Sequence, residues 1–392
     1  LMTNGALFDG GTFGTIQITG TGTRTIDLTA AGHLPNVIVN AANVTIQGPA
    51  SGVTTLDKNF TLSSGTFTGL AGNLDVNGDL SLLGGTFTAP SGSLYVAGVF
   101  TASSSVTWSD NNGAVVFDGG SATLIIDNSI AFHDFTVSKT SGGLVIANNQ
   151  SVVVAGNLSL LNGILGNAIV QAQSTLTNAA TYNGGNTVIQ IVGNATRTIN
   201  LSAGAINSLV INAPNVTVNG PSSGTLTVTG NLSIISGQMI GSGGNLIVDG
   251  DVSVSGGTFT APSANLTFSG SFLHTAGTFN HNSGTVILNG TNQMIIGNNT
   301  FYNFTKIVTL ADTLYFDSGK TQIIEGALTL RGETGQTLSL VSNFGTPQWE
   351  IDAQGARDIA YVNVMHSKNN NATAITAGTG SVNLGGNTNW TF

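Results

Sequence analysis

The sequence predicts an all-β fold: a parallel β-solenoid (β-helix) with coils of about 20 residues, in two tandem related halves of about 172 residues. Three observations predict it. A long segment recurs at a fixed offset, each copy carries a finer apolar beat, and the composition is rich in glycine and β-branched residues but poor in charge.

The long repeat is read from three motifs. Thr23-Arg24-Thr25-Ile26-Asp27-Leu28 returns as Thr196-Arg197-Thr198-Ile199-Asn200-Leu201. Asn43-Val44-Thr45-Ile46-Gln47-Gly48-Pro49 returns as Asn215-Val216-Thr217-Val218-Asn219-Gly220-Pro221, and Gly84-Gly85-Thr86-Phe87-Thr88-Ala89-Pro90 as Gly256-Gly257-Thr258-Phe259-Thr260-Ala261-Pro262. Arg24 to Arg197 is 173 residues, and Gly48 to Gly220 and Gly84 to Gly256 are 172 each. Chance matching in a biased composition would not hold that register, so the chain is a tandem duplication. The expected organisation is 1–172 as the first solenoid half, 173–345 as the second, and 346–392 as C-terminal coils that cap or assemble. The halves are expected to join near 165–185 without a flexible linker.

Within each half the pattern Leu74-x-Val76-x-Gly78-x-Leu80 is followed by Leu94-x-Val96-x-Gly98-x-Phe100, by Val115-x-Phe117-x-Gly119 and later by Val152-x-Val154-x-Gly156-x-Leu158. The second half repeats it from Leu246, Leu266 and Val286. Alternation of apolar and polar residues buries one face of each strand. The central glycine marks a bend or a close backbone approach, and the Gly-Gly, Asn-Gly and Ser-Gly steps mark turns. A β-sandwich array would need hairpin signals and a unit far longer than this one.

Composition narrows the function. Of 392 residues 7% are charged, 40% are hydrophobic and 54 are glycine. Recurrent Val, Ile, Thr and Phe favour strands over disorder. The net charge is −9, and nine Lys and Arg cannot build the basic stripe that nucleic acid requires, nor a polybasic membrane patch. Cysteine is absent, so stability is expected from packing and backbone hydrogen bonds. Thr140 to Thr196 lacks charged residues, yet Gly, Asn, Ser and Thr interrupt it too often for a membrane-spanning helix. A start at Leu1 suggests a processed or trimmed N-terminus and export.

The Gly-Asn-Leu-x-Val/Leu steps, the Gly-Thr-Phe-Thr-Ala-Pro blocks, Phe132-His133-Asp134-Phe135-Thr136-Val137 and Phe301-Tyr302-Asn303-Phe304-Thr305-Lys306, with the closing Asn-Thr-Asn-Trp, give the chain a resemblance. It resembles the large repetitive secreted surface proteins of bacteria, adhesin-like or haemagglutinin-like. The Asn-Pro-Asn-Gly signature of two-partner-secreted haemagglutinins is missing. The resemblance implies a secreted, extracellular, cell-surface protein.

Some β-helices are polysaccharide lyases or glycoside hydrolases, whose sites need carboxylates converging on one face. Asp75, Asp79, Asp249 and Asp251 flank coil glycines and read as Asx-type turn residues. Arg24 and Arg197 occupy equivalent positions, which indicates structure. Glu350, Asp352, Arg357, Asp358, His366 and Lys368 form the densest polar cluster and read as a solvated end coil or subunit contact. The histidines 33, 133, 274, 281 and 366 are scattered, and His274 with His281 lacks further zinc ligands. Thr-x-Thr steps at Thr23 and Thr25 and at Thr86 and Thr88 do not recur coil after coil in the sequence, which argues against an ice-binding ladder.

The expected function is therefore a non-enzymatic extracellular structural protein, a self-assembling segment of a bacterial surface fibre, with no catalytic residue, cofactor or metal. Its partner is itself, head to tail with lateral bundling, through ends marked by Leu1, Leu7, Phe8, Trp390 and Phe392. The alternative is a carbohydrate- or surface-binding adhesin stalk meeting surface glycans through Trp108, Trp349 and Tyr361, with Trp390 a further aromatic. A polysaccharide-active β-helix enzyme is the second alternative.

Overall fold

The structure, a computed structural model, describes residues 14–28, 32–126, 130–147 and 150–392. Strands make up 59% of the chain, and the described residues contain no α-helix. Coils follow one another about 20 residues apart in parallel register, which is the β-solenoid. No helix among them is long and apolar enough to cross a membrane. The chain divides into two compact units, Leu1–Gln190 and Ile191–Phe392.

In the first unit each coil lays down strands on successive faces. On one face Val53–Leu56, Asn73–Val76, Ser93–Val96 and Ala114–Phe117 pair in parallel, followed by the start of Asp134–Ile146 and of Asn157–Gly166, then Thr175–Asn178. Their inward residues form two columns. One runs Leu74, Leu94, Val115, Phe135, Leu158, Leu176, and the other Val76, Val96, Phe117, Val137, Leu160. All of these side chains are buried. Each such burial contributes about 1.5–3 kcal/mol, which is why a coil folds only against its neighbours.

The registers correct one part of the sequence reading. Val152-x-Val154 does not continue the Leu74-x-Val76 column. It pairs with Ala131–Phe132 on the preceding face, and the column is continued instead by Leu158 and Leu160. The same Val-x-Gly-x-Leu signature marks two different corners of the coil, so sequence alone placed this one a face early.

The phenylalanine of the Gly-Thr-Phe-Thr-Ala-Pro block points inward. Phe67 stacks on Phe87 at 4.7 Å between ring centroids, and Phe87 on Trp108 at 5.6 Å with planes 5° apart. In the second unit Phe259, Phe279 and Phe301 form the matching column at 5.7 and 5.6 Å. The flanking threonines point outward. Contrary to the linear reading, they do stack: Thr25, Thr45, Thr66, Thr86 and Thr107 align across five coils, although within this column the full Thr-x-Thr pair occupies only the two coils at 66–68 and 86–88.

In the second unit the columns Leu226, Leu246, Leu266, Val286, Phe304, Leu328 and Val228, Val248, Phe268, Leu288, Lys306, Leu330 run through six coils. The last coils, including Trp349–Ala353, Ser367–Asn369 and Trp390–Thr391, remain parallel strands.

Candidate functional site

The polar groups of the turns are organised along the stack. In the second unit Asn231 N donates to Ser208 Oγ at 3.1 Å, Asp251 N to Asn231 Oδ1 at 2.8 Å, Ser271 N to Asp251 Oδ1 at 2.7 Å, and Met294 N to Ser271 Oγ at 3.0 Å. Each rung links one coil to the next. The first unit repeats the device, with Asp79 N on Asn59 Oδ1 and Val99 N on Asp79 Oδ1, both at 2.8 Å. A second corner uses it too: Asn157 N meets Asp134 Oδ1 at 2.7 Å, and Ala327 N meets Asn303 Oδ1 at 2.8 Å. Asp79 and Asp251 are thus cross-coil acceptors, where the sequence suggested acceptors within their own turns. Turn backbone N–H groups that no strand ladder satisfies find a partner this way.

The ladder explains the glycines before it. A methyl at Gly78 would overlap Asn59 Oδ1, one at Gly98 Asp79 Oδ1, one at Gly250 Asn231 Oδ1 and one at Gly270 Asp251 Oδ1. The glycine leaves room for the acceptor of the preceding coil.

The repeat-related arginines also serve the backbone. Arg24 donates to Thr19 O, and Arg197 donates to Val192 O at 2.6 Å, the same carbonyl five residues back. In the last coils Arg357 donates to Ala353 O and to Thr373 O and Ala374 O, the latter two at 2.9 Å. Glu350 accepts from Asn370 Nδ2 at 2.7 Å and Thr321 Oγ1 at 2.9 Å and faces Lys368 Nζ at 3.4 Å. The Asn370 hydrogen bond, with help from Thr321 and Lys368, holds its carboxyl below the usual range against the opposing effect of burial. Asp352 accepts from Asn371 Nδ2 and Gln354 Nε2, and Asp358 pairs with Arg331. His366 lies apart, its ring beside Gly386. The cluster read from the sequence therefore resolves into separate coil-to-coil contacts.

The histidines take different partners. His274 Nδ1 lies 2.8 Å from Oδ1 of buried Asn299, whose Nδ2 donates to Gln322 Oε1 at 2.9 Å. His281 Nε2 lies 3.2 Å from Glu325. Among the described residues no group of three or more His, Cys, Asp or Glu could hold a metal ion.

Of the aromatic candidates, Trp349 is fully buried and stacked on Phe316 at 4.0 Å, so it cannot serve as a surface platform. Trp108 is half-buried in the phenylalanine column and donates from Nε1 to Ala131 O at 2.9 Å. Tyr361 is half-buried with a left-handed backbone, φ 54°, and its ring lies where a side chain at Gly380 would go. Trp390 donates to Ser367 Oγ at 3.0 Å and stacks on Phe392, which is 45% exposed. Leu1, Leu7 and Phe8 lie outside the described residues.

Two buried lysines escaped the sequence reading. Lys306 stands in the apolar column between Leu288 and Leu330, fully buried, and pairs with Asp312 at 2.8 Å while donating to Gly290 O and Gln293 Oε1. Burial lowers its pKa, opposed by the hydrogen bond and charge of Asp312. Lys139 is also fully buried and donates to Asp118 O and Ala97 O, one and two coils back. The available signal was a lone lysine following Phe-x-Asp/Asn-Phe in each half.

Comparison with protein-family models, with characterised proteins and with solved structures finds no match to this chain.

Proposed function

We propose that this chain is a structural segment of a bacterial extracellular surface fibre, non-enzymatic and self-associating. The observation that carries the reading is the unbroken relay Ser208, Asn231, Asp251, Ser271, Met294, in which each turn's polar group holds the next coil. A catalytic face would set such carboxylates free toward a substrate. Here they cross-link the stack along its axis, the direction in which a fibre carries load.

Self-association has its own support. In the last coils Val382, Leu384 and Phe392 are exposed, and strand Val382–Asn383 pairs only with Val362–Val364, which leaves its other backbone edge open to a further parallel strand. We assign that place to a second copy of the chain, a heterologous contact that propagates. With only 7% of residues charged, little repulsion opposes lateral bundling. Negative-stain imaging and sedimentation velocity of the full chain test this. Filaments that shorten when Leu384 and Phe392 are replaced by aspartate are expected, and a monomer at high concentration overturns the proposal.

A further inference from the structure

Successive turns at one corner of the second unit differ in length. Three residues separate Phe272–His274 from Thr278–Asn280, two separate Met294–Ile296 from Asn299–Phe301, and four separate Asp312–Phe316 from Thr321–Ile324. The next turn, between Leu338–Ser342 and Trp349–Ala353, has six. The short middle turn leaves a notch between its longer neighbours, an open cleft of about 380 Å³ walled by His274, Asn298, Asp317 and Lys320. That volume lies at the small end of ligand sites.

The walls are chemically prepared. His274 is fixed by Asn299, and Asp317 is fixed by Gly297 N at 3.2 Å on one oxygen and Asn343 Nδ2 at 3.2 Å on the other. Lys320 is exposed and its ammonium has no partner among the described residues. This is uncommon in the chain: seven of its nine cations, at 24, 139, 197, 306, 331, 357 and 368, are engaged, and Lys58 is the other exception. A fixed acceptor, an amide and a free ammonium around one notch match a hydroxylated ring that carries a carboxylate. Its hydroxyls meet Asp317 and Asn298, and its carboxylate meets Lys320.

We propose that this notch binds a uronate residue of an anionic polysaccharide, an activity separate from the fibre role. Native affinity electrophoresis of the full chain in gels containing polygalacturonate, or neutral dextran, tests it. A chain of net charge −9 is repelled by a polyanion overall, so retardation requires a local site. Retardation by polygalacturonate and not by dextran is expected. Lys320→Gln should weaken it about fivefold, the scale of one exposed ion pair. Lys58→Gln should leave it unchanged, and both variants should keep the parent unfolding midpoint. No retardation, equal retardation by dextran, full binding by Lys320→Gln, or equal loss in Lys58→Gln would each overturn the proposal.

Discussion

Asp251 accepts the backbone N–H of Ser271, twenty residues and one coil away, at 2.7 Å, and its own N–H goes back to Asn231. One residue thereby joins three coils. The consequences of that arrangement, and of the buried groups around it, can be measured.

The relay predicts a specific coupling between Ser208 and Gly230. A methyl at Gly230 would overlap Ser208 Oγ, while the other atoms nearby leave it room. Gly230→Ala should destabilise the protein clearly. Ser208→Ala should cost about 1 kcal/mol by stranding Asn231 N. The double variant should lose less than the sum of the two, because the second change removes the clash. Denaturant unfolding of the four proteins reads the cycle, and strict additivity would contradict the close approach.

Lys306→Met should cost about 3–5 kcal/mol, because it leaves Asp312 buried without its cation. Lys306→Met combined with Asp312→Asn should recover most of that loss, since the amide oxygen can still accept from Asn292 N and Thr313 N. A double variant as unstable as the single one would show that the lysine does more than neutralise Asp312.

Acid should weaken the second unit through two carboxyls. Asn370 and Thr321 hold Glu350 low, and hydrogen bonds from Lys306, Asn292 N and Thr313 N hold Asp312 low although burial alone would raise it. A depressed folded pKa means that the unfolded chain takes up protons first as pH falls. The stabilisation is complete above about pH 4.5, the ordinary carboxyl range, and fades as pH drops through the lower folded values. Glu350→Gln should flatten this acid loss in unfolding curves between about pH 5 and pH 2. An unchanged slope would refute the role given to Glu350.

Trp108 and Phe87 should behave as core residues. Phe87→Ala should cost about 3–5 kcal/mol, and Trp108→Ala should also lower the unfolding midpoint, since it removes a stacked ring and the bond to Ala131 O. Trp108→Ala with full stability would return that residue to the surface candidates.

Much of the fold was legible because the coil pattern is written in the chain. Leu74, Leu94 and Val115, and Leu246, Leu266 and Val286, pair in the register that their spacing predicts. The phase of Val152 was not legible, since a glycine beneath a cross-coil acceptor is needed at more than one corner and gives both the same signature. Lys306 was hidden because an inward lysine breaks the alternation that identifies an inward position. Trp349 looked like a platform beside Glu350 and Asp352, but strand alternation turns it inward and those two outward. The notch at Asn298 depends on turn lengths, which can be counted only once the strand ends are known.

The account rests on turn polar groups holding coil to coil, and native-state hydrogen exchange at the amides of Asn231, Asp251, Ser271 and Met294 tests this most directly. Asn231, Asp251 and Ser271 sit in turns and Met294 opens the strand Met294–Ile296, places where unbonded amides exchange rapidly. The account predicts protection comparable to the neighbouring strand amides of Leu232 and Val252, lost at Ser271 alone when Asp251 becomes alanine. Exchange at the rate of open loops at all four positions would contradict it.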